Sequence, residues 1–220
     1  MSPVHLLTYC RPRLCSSALL QTPLVCAALP SLPVNTFAEL LALALAAPGE
    51  QVISHGGIGT AIHHSVQFFK QMAKTVFNEV AYRGSGPVIV GLLGGRPLAM
   101  VGTPSALSHI KSGKVRALAA TGSERAVTLC DVSTFSEAGL RGCESAGWPG
   151  FVAPAGTPAP VVTALLATIT TTPNDSELRA AACMLGVELS PNTSPEFARF
   201  IKSEITKWGE VVKISGTRLE

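Results

Sequence analysis

The stretch that most constrains the fold is residues 54–60, Ser-His-Gly-Gly-Ile-Gly-Thr, which follows the apolar pair Val52-Ile53. Apolar residues at helical spacing come after it, at Ile62, Val66, Phe69 and Met72. A strand, a glycine turn and a helix start leave backbone N–H groups unpaired at the helix N-terminus. Those donors and the helix dipole suit an anion such as a carboxylate or a phosphate. The spacing therefore predicts an anion-binding turn, with a plain strand-to-helix turn as the alternative.

Around this stretch, apolar runs alternate with helical patterns up to residue 120. Strands are predicted at residues 51–54, 77–82, 98–101 and 115–120. Helices are predicted after a capping box at Thr36 and Glu39, after residue 60, after Ser85 as the cap, and after Thr103-Pro104. The order βαβα indicates a largely parallel α/β sheet.

Beyond Thr121 the alternation loosens, and we place a domain crossover near this residue. A short helix is predicted at residues 134–138 and a longer one at 161–169. Another helix is predicted to begin at Asp175 or Ser176, and a long amphipathic helix at Ser194-Pro195.

Composition excludes several classes of protein. Hydrophobic residues make up 47% of the 220 residues against 14% charged, which is not the composition of a disordered chain. A net charge of +3 is too small to indicate nucleic-acid binding. The six cysteines form no C-x-x-C pair, so their spacing supports neither a zinc site nor a disulfide framework.

The first 28 residues resemble a poor signal peptide. Arg11 and Arg13 precede a mostly apolar segment at 14–28, but Gln21, Pro23 and two serines interrupt it. No run of 18 apolar residues is present, which argues against a membrane-spanning helix. We expect residues 1–30 to be an irregular or degraded segment without a convincing export signal.

Two enzymatic interpretations of the glycine stretch each lack a residue that their motif requires. A dinucleotide fingerprint needs a third glycine, where Ile62 stands. An oxyanion loop of esterases matches residues 55–59, but its G-x-S-x-G elbow is missing because Cys143 replaces the first glycine before Ser145. A hydrolase stays an alternative, and no cofactor is expected.

Three further features accompany the stretch. His55, His63 and His64 are close enough in sequence to suggest a metal, but neighbouring helical positions point about 100° apart, so a polar first turn is preferred. Residues 82–85 form a second strand-to-helix turn, expected at the same sheet edge as the first. Trp148 is expected either to line a cleft or to pack in a core.

Several blocks of sequence, in their order and spacing, resemble one known family. The blocks are 31–40 (SLPVNTFAEL), 54–60 (SHGGIGT), 69–73 (FKQMA), 82–85 (YRGS), 92–95 (LLGG), 104–107 (PSAL), 109–119 (HIKSGKVRALA), 137–140 (EAGL), 153–158 (APAGTP), 194–197 (SPEF) and 201–205 (IKSEI) with Trp208. They resemble the Bug-type (TctC-like) periplasmic substrate-binding receptors of tripartite tricarboxylate transporters, over about residues 31–220.

The resemblance implies a type II periplasmic-binding-protein-like fold, in which two α/β domains close on a small carboxylate like a Venus flytrap. It implies a non-enzymatic, periplasmic receptor that presents a mono-, di- or tricarboxylate to the membrane permease subunits. The ligand-binding residues carried over by position are Ser54, Gly57, Gly59, Thr60, Gly84 and Ser85. No metal site and no nucleic-acid partner are implied.

The sequence also departs from the family. Members carry roughly a hundred more N-terminal residues, which supply the other half of the cleft, and many have an Asp where this chain has Gly102. We therefore expect an N-terminally truncated receptor with an incomplete first domain. Residues 31–120 would form a complete second domain, and residues 121–220 the C-terminal part of the first domain with its long helix. A non-binding remnant is the second alternative.

Overall fold

The computed structural model of the protein describes residues 16–18, 20–154 and 156–216. By their internal contacts, these residues form two compact units. The central unit is Thr22–Gly147, and the terminal unit combines the residues before Thr22 with those from Trp148 onward. Within the described ranges, no helix has both the length and the hydropathy that crossing a membrane requires.

Nine strands and seven α-helices are described. The strands are β1 (Ser16–Ala18), β2 (Leu20–Ala28), β3 (Val52–His55), β4 (Asn78–Ala81), β5 (Leu98–Gly102), β6 (Arg116–Ala120), β7 (Ala146–Gly147), β8 (Gly150–Val152) and β9 (Glu188–Leu189). The helices are α1 (Phe37–Ala46), α2 (Ala61–Ala73), α3 (Ser85–Leu93), α4 (Thr103–Lys111), α5 (Ala159–Thr171), α6 (Ser176–Leu185) and α7 (Ser194–Ser215).

The central unit is built on a sheet with the strand order β4-β3-β5-β2-β6. Strand β3 runs parallel to both β4 and β5, whereas β2 runs antiparallel to β5 and β6. The predicted α/β sheet is therefore present, with β2 as an antiparallel strand that the alternation of elements did not reveal.

Strand β2 lies between β5 and β6 in this sheet and is buried on both faces. Leu24 and Cys26 join one core cluster, whereas Val25 and Ala27 join the other. A strand covered on both faces has a continuous apolar sequence rather than an alternating one. This segment falls in residues 1–30, which we expected to be irregular. From Leu20 to Ala28 it is a strand, while the predicted signal-like arginines, Arg11 and Arg13, lie outside the described residues.

The segment from Thr121 to Gly147 belongs to the central unit, whereas the sequence placed a crossover at Thr121. Phe135 stacks on Phe37 at a ring distance of 4.4 Å, and the Ser145 N–H donates to the Thr121 carbonyl at 2.8 Å. The helix predicted at residues 134–138 is instead a turn, which Gly139 ends at φ 102°. The segment therefore returns to the same core.

Two predicted helix caps are displaced by one residue. Gly84 and Gly102 are the N-caps, so Ser85 and Thr103 are the first helical residues, whereas α7 begins at Ser194 as predicted. The Thr103 hydroxyl donates to the Pro23 carbonyl at 2.6 Å, which explains why it does not cap α4. Thr193 forms a capping box with Glu196.

In the terminal unit, β1 pairs with β8, and Leu20 and Gln21 pair with β9. Its core is small and partly polar. Glu204 on α7 accepts a hydrogen bond from the Nε1 atoms of Trp148 and Trp208, each at 2.8 Å. Trp148 also contacts Phe197 and Phe200 edge-on. Trp148 is therefore a core residue of this unit.

Candidate functional site

The two strand-to-helix turns predicted from the sequence lie side by side in the central unit. The first joins β3 to α2 and the second joins β4 to α3, and the two strands are parallel neighbours. Tyr82 N–H donates to the His55 carbonyl at 2.9 Å, and Gly84 N–H donates to the Gly56 carbonyl at 3.0 Å. All six predicted ligand-binding residues, Ser54, Gly57, Gly59, Thr60, Gly84 and Ser85, lie on these turns or at the strand end beside them.

Glycine is required in these turns by backbone geometry. Gly57, Gly59 and Gly84 have φ angles of 124°, 76° and 101°, values that residues with a Cβ atom rarely adopt. At Gly57 there is also little space, because a Cβ atom would lie 3.1 Å from the Tyr82 carbonyl oxygen. The turns therefore keep both their conformation and their close approach only with glycine.

Thr60 closes the first turn and begins α2. Its hydroxyl donates to the Gly57 carbonyl at 2.7 Å and accepts from the His63 N–H at 3.2 Å. The hydroxyl is thus engaged as donor and as N-cap acceptor. Thr60 holds the shape of the turn in this structure.

The turns retain backbone donors without an internal acceptor. Among the described residues, no hydrogen bond involves the N–H groups of Ile58, Ala61 and Ile62 on the first turn, or of Ser85 on the second. Free N–H groups at a helix N-terminus are oriented toward the space that an anion occupies. The Ser54 hydroxyl on β3, the strand before the first turn, is fully buried and has no hydrogen-bond partner.

The N–H groups of the two turn glycines are directed to histidine rings. Gly57 N–H donates to the Nδ1 atom of His55, and Gly59 N–H donates to the Nδ1 atom of His63, each at 3.3 Å. These imidazoles lie below the turn, with ring centroids 4.8 Å apart. The backbone N–H groups of the first turn that have no acceptor are therefore those of Ile58, between the two glycines, and of Ala61 and Ile62 at the start of α2.

Glu79 on β4 contacts both histidines and was not among the predicted site residues. Its Oε2 atom lies 3.3 Å from His55 Nε2 and 3.4 Å from His63 Nε2. Lys70 Nζ and Gln67 Nε2 on α2 also donate to this carboxylate. A lone acidic residue in the short strand 77–82, beside a histidine-rich turn, was the one available signal.

Electrostatics hold this carboxyl group ionised. Burial alone would raise the pKa of Glu79, but hydrogen bonds from His55, His63 and Lys70, with the charge of Lys70, hold it far below its usual range. His64, which follows on α2, has its pKa lowered to about 4 by burial and by His63. The site thus contains one carboxylate and a neutral buried histidine.

In the part of the chain that the structure describes, His55, His63 and Glu79 are the group whose geometry could hold a metal ion. One ligand atom from each lies within 4.8 Å of the others, two of the residues being buried. Glu79 is already shared with Lys70 and Gln67, so a cation there would compete with an ammonium group. The sequence had instead grouped His64 with the two histidines, but His64 is not one of the three.

An esterase site needs a serine hydroxyl hydrogen-bonded to an imidazole ring. Among the residues that the structure describes, no serine hydroxyl hydrogen-bonds to the ring of His55 or His63. Ser145, the nearest match to a serine elbow, is buried and its backbone pairs with Thr121.

The terminal unit contains a separate apolar cavity of about 110 Å³. It is lined by Ser17, Phe151, Val152, Ala153, Val162, Leu165, Leu166 and Ile169. None of the predicted ligand-binding residues lines it. With a single polar lining side chain, it offers little to recognise a charged ligand.

Comparisons with known proteins agree with the sequence resemblance. Residues 13–217 match the profile of a family described as "Tripartite tricarboxylate transporter family receptor". Protein BugT of Bordetella pertussis is 31% identical over 199 residues, which are 90% of this chain and 61% of BugT. A protein of Pseudomonas sp. strain P51, described as a UPF0065 protein in the tcbD-tcbE intergenic region, is 33% identical over 79% of this chain and 52% of its own. The chain thus spans about half to three-fifths of these relatives.

Solved structures confirm the predicted fold class and family. The Rhodopseudomonas palustris protein Rpa4515 with adipate superposes with a TM-score of 0.81 and 30% identity, over 90% of this chain and 67% of its own. Periplasmic binding protein BugD gives a TM-score of 0.80 at 27% identity, over 93% and 69%. MatC of R. palustris with bound malate gives 0.76 at 27% identity, over 89% and 68%.

Proposed function

The chain belongs to the tripartite tricarboxylate transporter receptor family, a family of solute-binding receptors rather than enzymes, and on that premise we propose that it binds a small carboxylate at its two glycine turns. The proposed ligand-binding residues are Ser54, Gly57, Gly59, Thr60, Gly84 and Ser85. In this proposal, the glycines and Thr60 shape the turn, and the open backbone N–H groups bind the ligand oxygens.

One observation carries this proposal above the others. Two helix N-termini, those of α2 and α3, lie at the same sheet edge with unpaired N–H donors, and the buried Ser54 hydroxyl on β3 lacks a partner. A buried polar group without a partner costs about 1–3 kcal/mol unless a ligand or water satisfies it. A carboxylate offers acceptor oxygens that suit all of these donors.

A dicarboxylate is the ligand class best supported. The solved relatives Rpa4515 and MatC are described with adipate and with malate, both of which carry two carboxylates. The central unit holds one set of donors suited to a single carboxylate. We therefore propose that this set binds one end of a small dicarboxylate.

We further propose that the receptor acts in the periplasm and delivers its ligand to membrane permease subunits. The family description and the periplasmic relative BugD support this role. Co-purification of the chain with the permease subunits in adipate, and its loss without ligand, is the corresponding test.

Isothermal titration calorimetry on the full chain tests ligand binding. Adipate and malate are compared with adipamide, which keeps the carbon chain of adipate but has no charge. We expect saturable binding of at least one dicarboxylate and none of adipamide, because N–H donors at helix N-termini favour an anion.

Gly57→Ala provides the site variant and Gly95→Ala its matched control. Both positions have positive φ angles, 124° and 110°, but a Cβ meets the Tyr82 carbonyl at 3.1 Å only at Gly57 and has open space at Gly95. Binding should be lost in the first variant and kept in the second. Equal binding of adipate by both variants would contradict the proposed site.

A further inference from the structure

Two imidazole rings accept hydrogen bonds from the glycine N–H groups of the first turn. His55 is the last residue of β3 and His63 lies in the first turn of α2, and both are buried. Each accepts a glycine N–H at Nδ1, from Gly57 and from Gly59 respectively. The positive-φ residues of the turn are thus both bound to a ring nitrogen.

The hydrogen bonds from the glycine N–H groups favour the same tautomer in both rings. A ring nitrogen that accepts an N–H hydrogen bond carries no proton, so a neutral imidazole in this position is protonated at Nε2. The Nε2 atoms of His55 and His63 both face Glu79 Oε2, at 3.3 Å and 3.4 Å. Each ring therefore accepts from the turn on one side and places its Nε2 atom near the carboxylate on the other, where His63 Nε2 also lies 3.1 Å from Gln67 Nε2.

Glu79 is itself held in place from α2. Gln67 Nε2 donates to both carboxylate oxygens, at 2.8 Å and 2.9 Å, and Lys70 Nζ donates to Oε1. The side chain is about one-fifth exposed, so it lies at the margin of the unit with its oxygens turned inward. The carboxylate connects β4 with both the end of β3 and the start of α2.

We propose that Glu79 is a positioning residue, which orients His55 and His63 so that their Nδ1 atoms hold the Gly57 and Gly59 N–H groups and keep the turn open for a carboxylate. The effect on binding rests on the proposed function, whereas the effect on the rings and the turn does not. Without the carboxylate, either ring is free to take the other tautomer, whose Nδ1–H opposes a glycine N–H.

A metal ion is the competing occupant of the same three side chains. A metal bound at Nε2 requires the proton on Nδ1, and a ligating histidine usually donates that Nδ1–H to an acceptor. Here both Nδ1 atoms face N–H donors. The observed hydrogen bonds therefore favour the positioning role.

The test uses the full chain labelled with ¹⁵N, with variants Glu79→Met and Glu79→Gln. Methionine has a similar length without a strong acceptor, whereas glutamine keeps one carbonyl oxygen. Lys70→Met is the matched control, because it removes the ion pair with Glu79 but leaves the histidine contacts. Two-bond ¹⁵N correlation spectra report the tautomer, and amide hydrogen exchange reports the protection of Gly57 and Gly59.

In the wild-type chain and in Lys70→Met, both rings should be Nε2–H tautomers, and the two glycine amides should be protected. Glu79→Met should mix the tautomers and speed exchange of the Gly57 and Gly59 amides by about tenfold, while Glu79→Gln should be intermediate. Adipate affinity should fall by about tenfold in Glu79→Met and by less than threefold in Lys70→Met.

Two results would overturn the proposal. One is an Nδ1–H tautomer in the wild-type rings, or unchanged tautomers and exchange in Glu79→Met. The other is a Zn²⁺-dependent rise in melting temperature that disappears in Glu79→Met, which would assign the cluster to a metal. If no carboxylate binds the wild-type chain, the proposed function fails, but the tautomer and exchange readouts still decide the role of Glu79.

Discussion

The central and terminal units bury their apolar side chains to very different extents. Both core clusters of the described residues lie in the central unit, where Phe37, Phe69 and Phe135 form a buried aromatic group. In the described terminal unit the buried apolar side chains are few. Large apolar residues are exposed there: Phe151 exposes 55% of its surface, Leu165 52% and Met184 74%.

This difference separates the site from the less densely packed part of the chain. The two glycine turns and the histidine–glutamate cluster depend on the central unit alone, which has its own sheet and core. In the terminal unit, the Glu204 carboxylate lies between two indoles and accepts a hydrogen bond from each. Regions with few buried contacts open locally at a lower free energy. We expect the terminal unit to open first and the site to persist.

The largest expected effect is that of Phe37→Ala in the central unit. Phe37 is 2% exposed and contacts both Phe69 and Phe135, so the truncation leaves a cavity costing about 3–5 kcal/mol of unfolding free energy. Phe151→Ala, at 55% exposure in the terminal unit, should change it by about 0.5 kcal/mol or less. Urea denaturation followed by circular dichroism measures both, and equal losses would contradict the contrast between the units.

Acidification should destabilise the central unit first through His64. The unfolded chain protonates this residue from about pH 6.5 downward, whereas in the folded chain its pKa is lowered to about 4, so stability falls as the pH drops through this window. The loss is at most about 3 kcal/mol. Glu79, whose pKa is also lowered, adds to it below about pH 4.5.

His64→Leu is the variant that isolates this effect. Its unfolding free energy should depend less on pH between 6.5 and 4 than that of the wild type, because no imidazole has to be protonated there. Urea titrations at several pH values give the slopes. Parallel slopes for the two proteins would show that another group is responsible.

Glu204→Ala should weaken the terminal unit by about 2 kcal/mol. It removes the acceptor shared by the Trp148 and Trp208 indoles, and a lost acceptor for a largely buried donor costs about 1–3 kcal/mol. Both tryptophans of the chain lie in this unit, so their fluorescence follows its unfolding. Glu210→Ala, on the same helix without such a contact, is the control and should leave the fluorescence transition in place.

The smallest effect on stability is expected for exposed leucines, where dye binding distinguishes the units. Leu165 lines the apolar cavity of the terminal unit and is 52% exposed, while Leu45 in the central unit is 53% exposed without lining it. Leu165→Ser should reduce anilinonaphthalene sulfonate fluorescence, and Leu45→Ser should not. Each should alter stability by about 0.5 kcal/mol or less. An equal reduction in both would mean that exposure alone, not the cavity, determines dye binding.

The sequence predicted those parts of the fold that local rules specify. Glycine spacing and apolar periodicity located both turns and the helices α2 and α3 within a few residues. Residues 1–30 were expected to be irregular because Pro23 and Gln21 interrupt the apolar run, and only burial on both faces explains Leu24 to Ala28 as part of strand β2. Residues 121–147 were assigned to the first domain, whereas they pack in the central unit. Their contacts with Leu24 and Phe37 join residues far apart in sequence, which local patterns do not reveal.

The candidate site also contains residues that local sequence predicted and one that it did not. Ser54, Gly57, Gly59, Thr60, Gly84 and Ser85 were predicted from their place in the turns, and their role in binding stays a prediction. Glu79 was not predicted, because its partners His55 and His63 meet it only across paired strands and a helix. Local sequence specifies a turn, while the groups that hold it are specified by the tertiary fold.

The most direct test of the account is an NMR titration of the ¹⁵N-labelled chain with adipate. We predict that the largest amide shifts fall on Ile58, Ala61, Ile62 and Ser85, the open donors of the two glycine turns, with little change at Phe151 and Val162 of the terminal cavity. Shifts concentrated at the cavity, or a spectrum unchanged at saturating dicarboxylate, would contradict the assignment of the carboxylate site to the central unit.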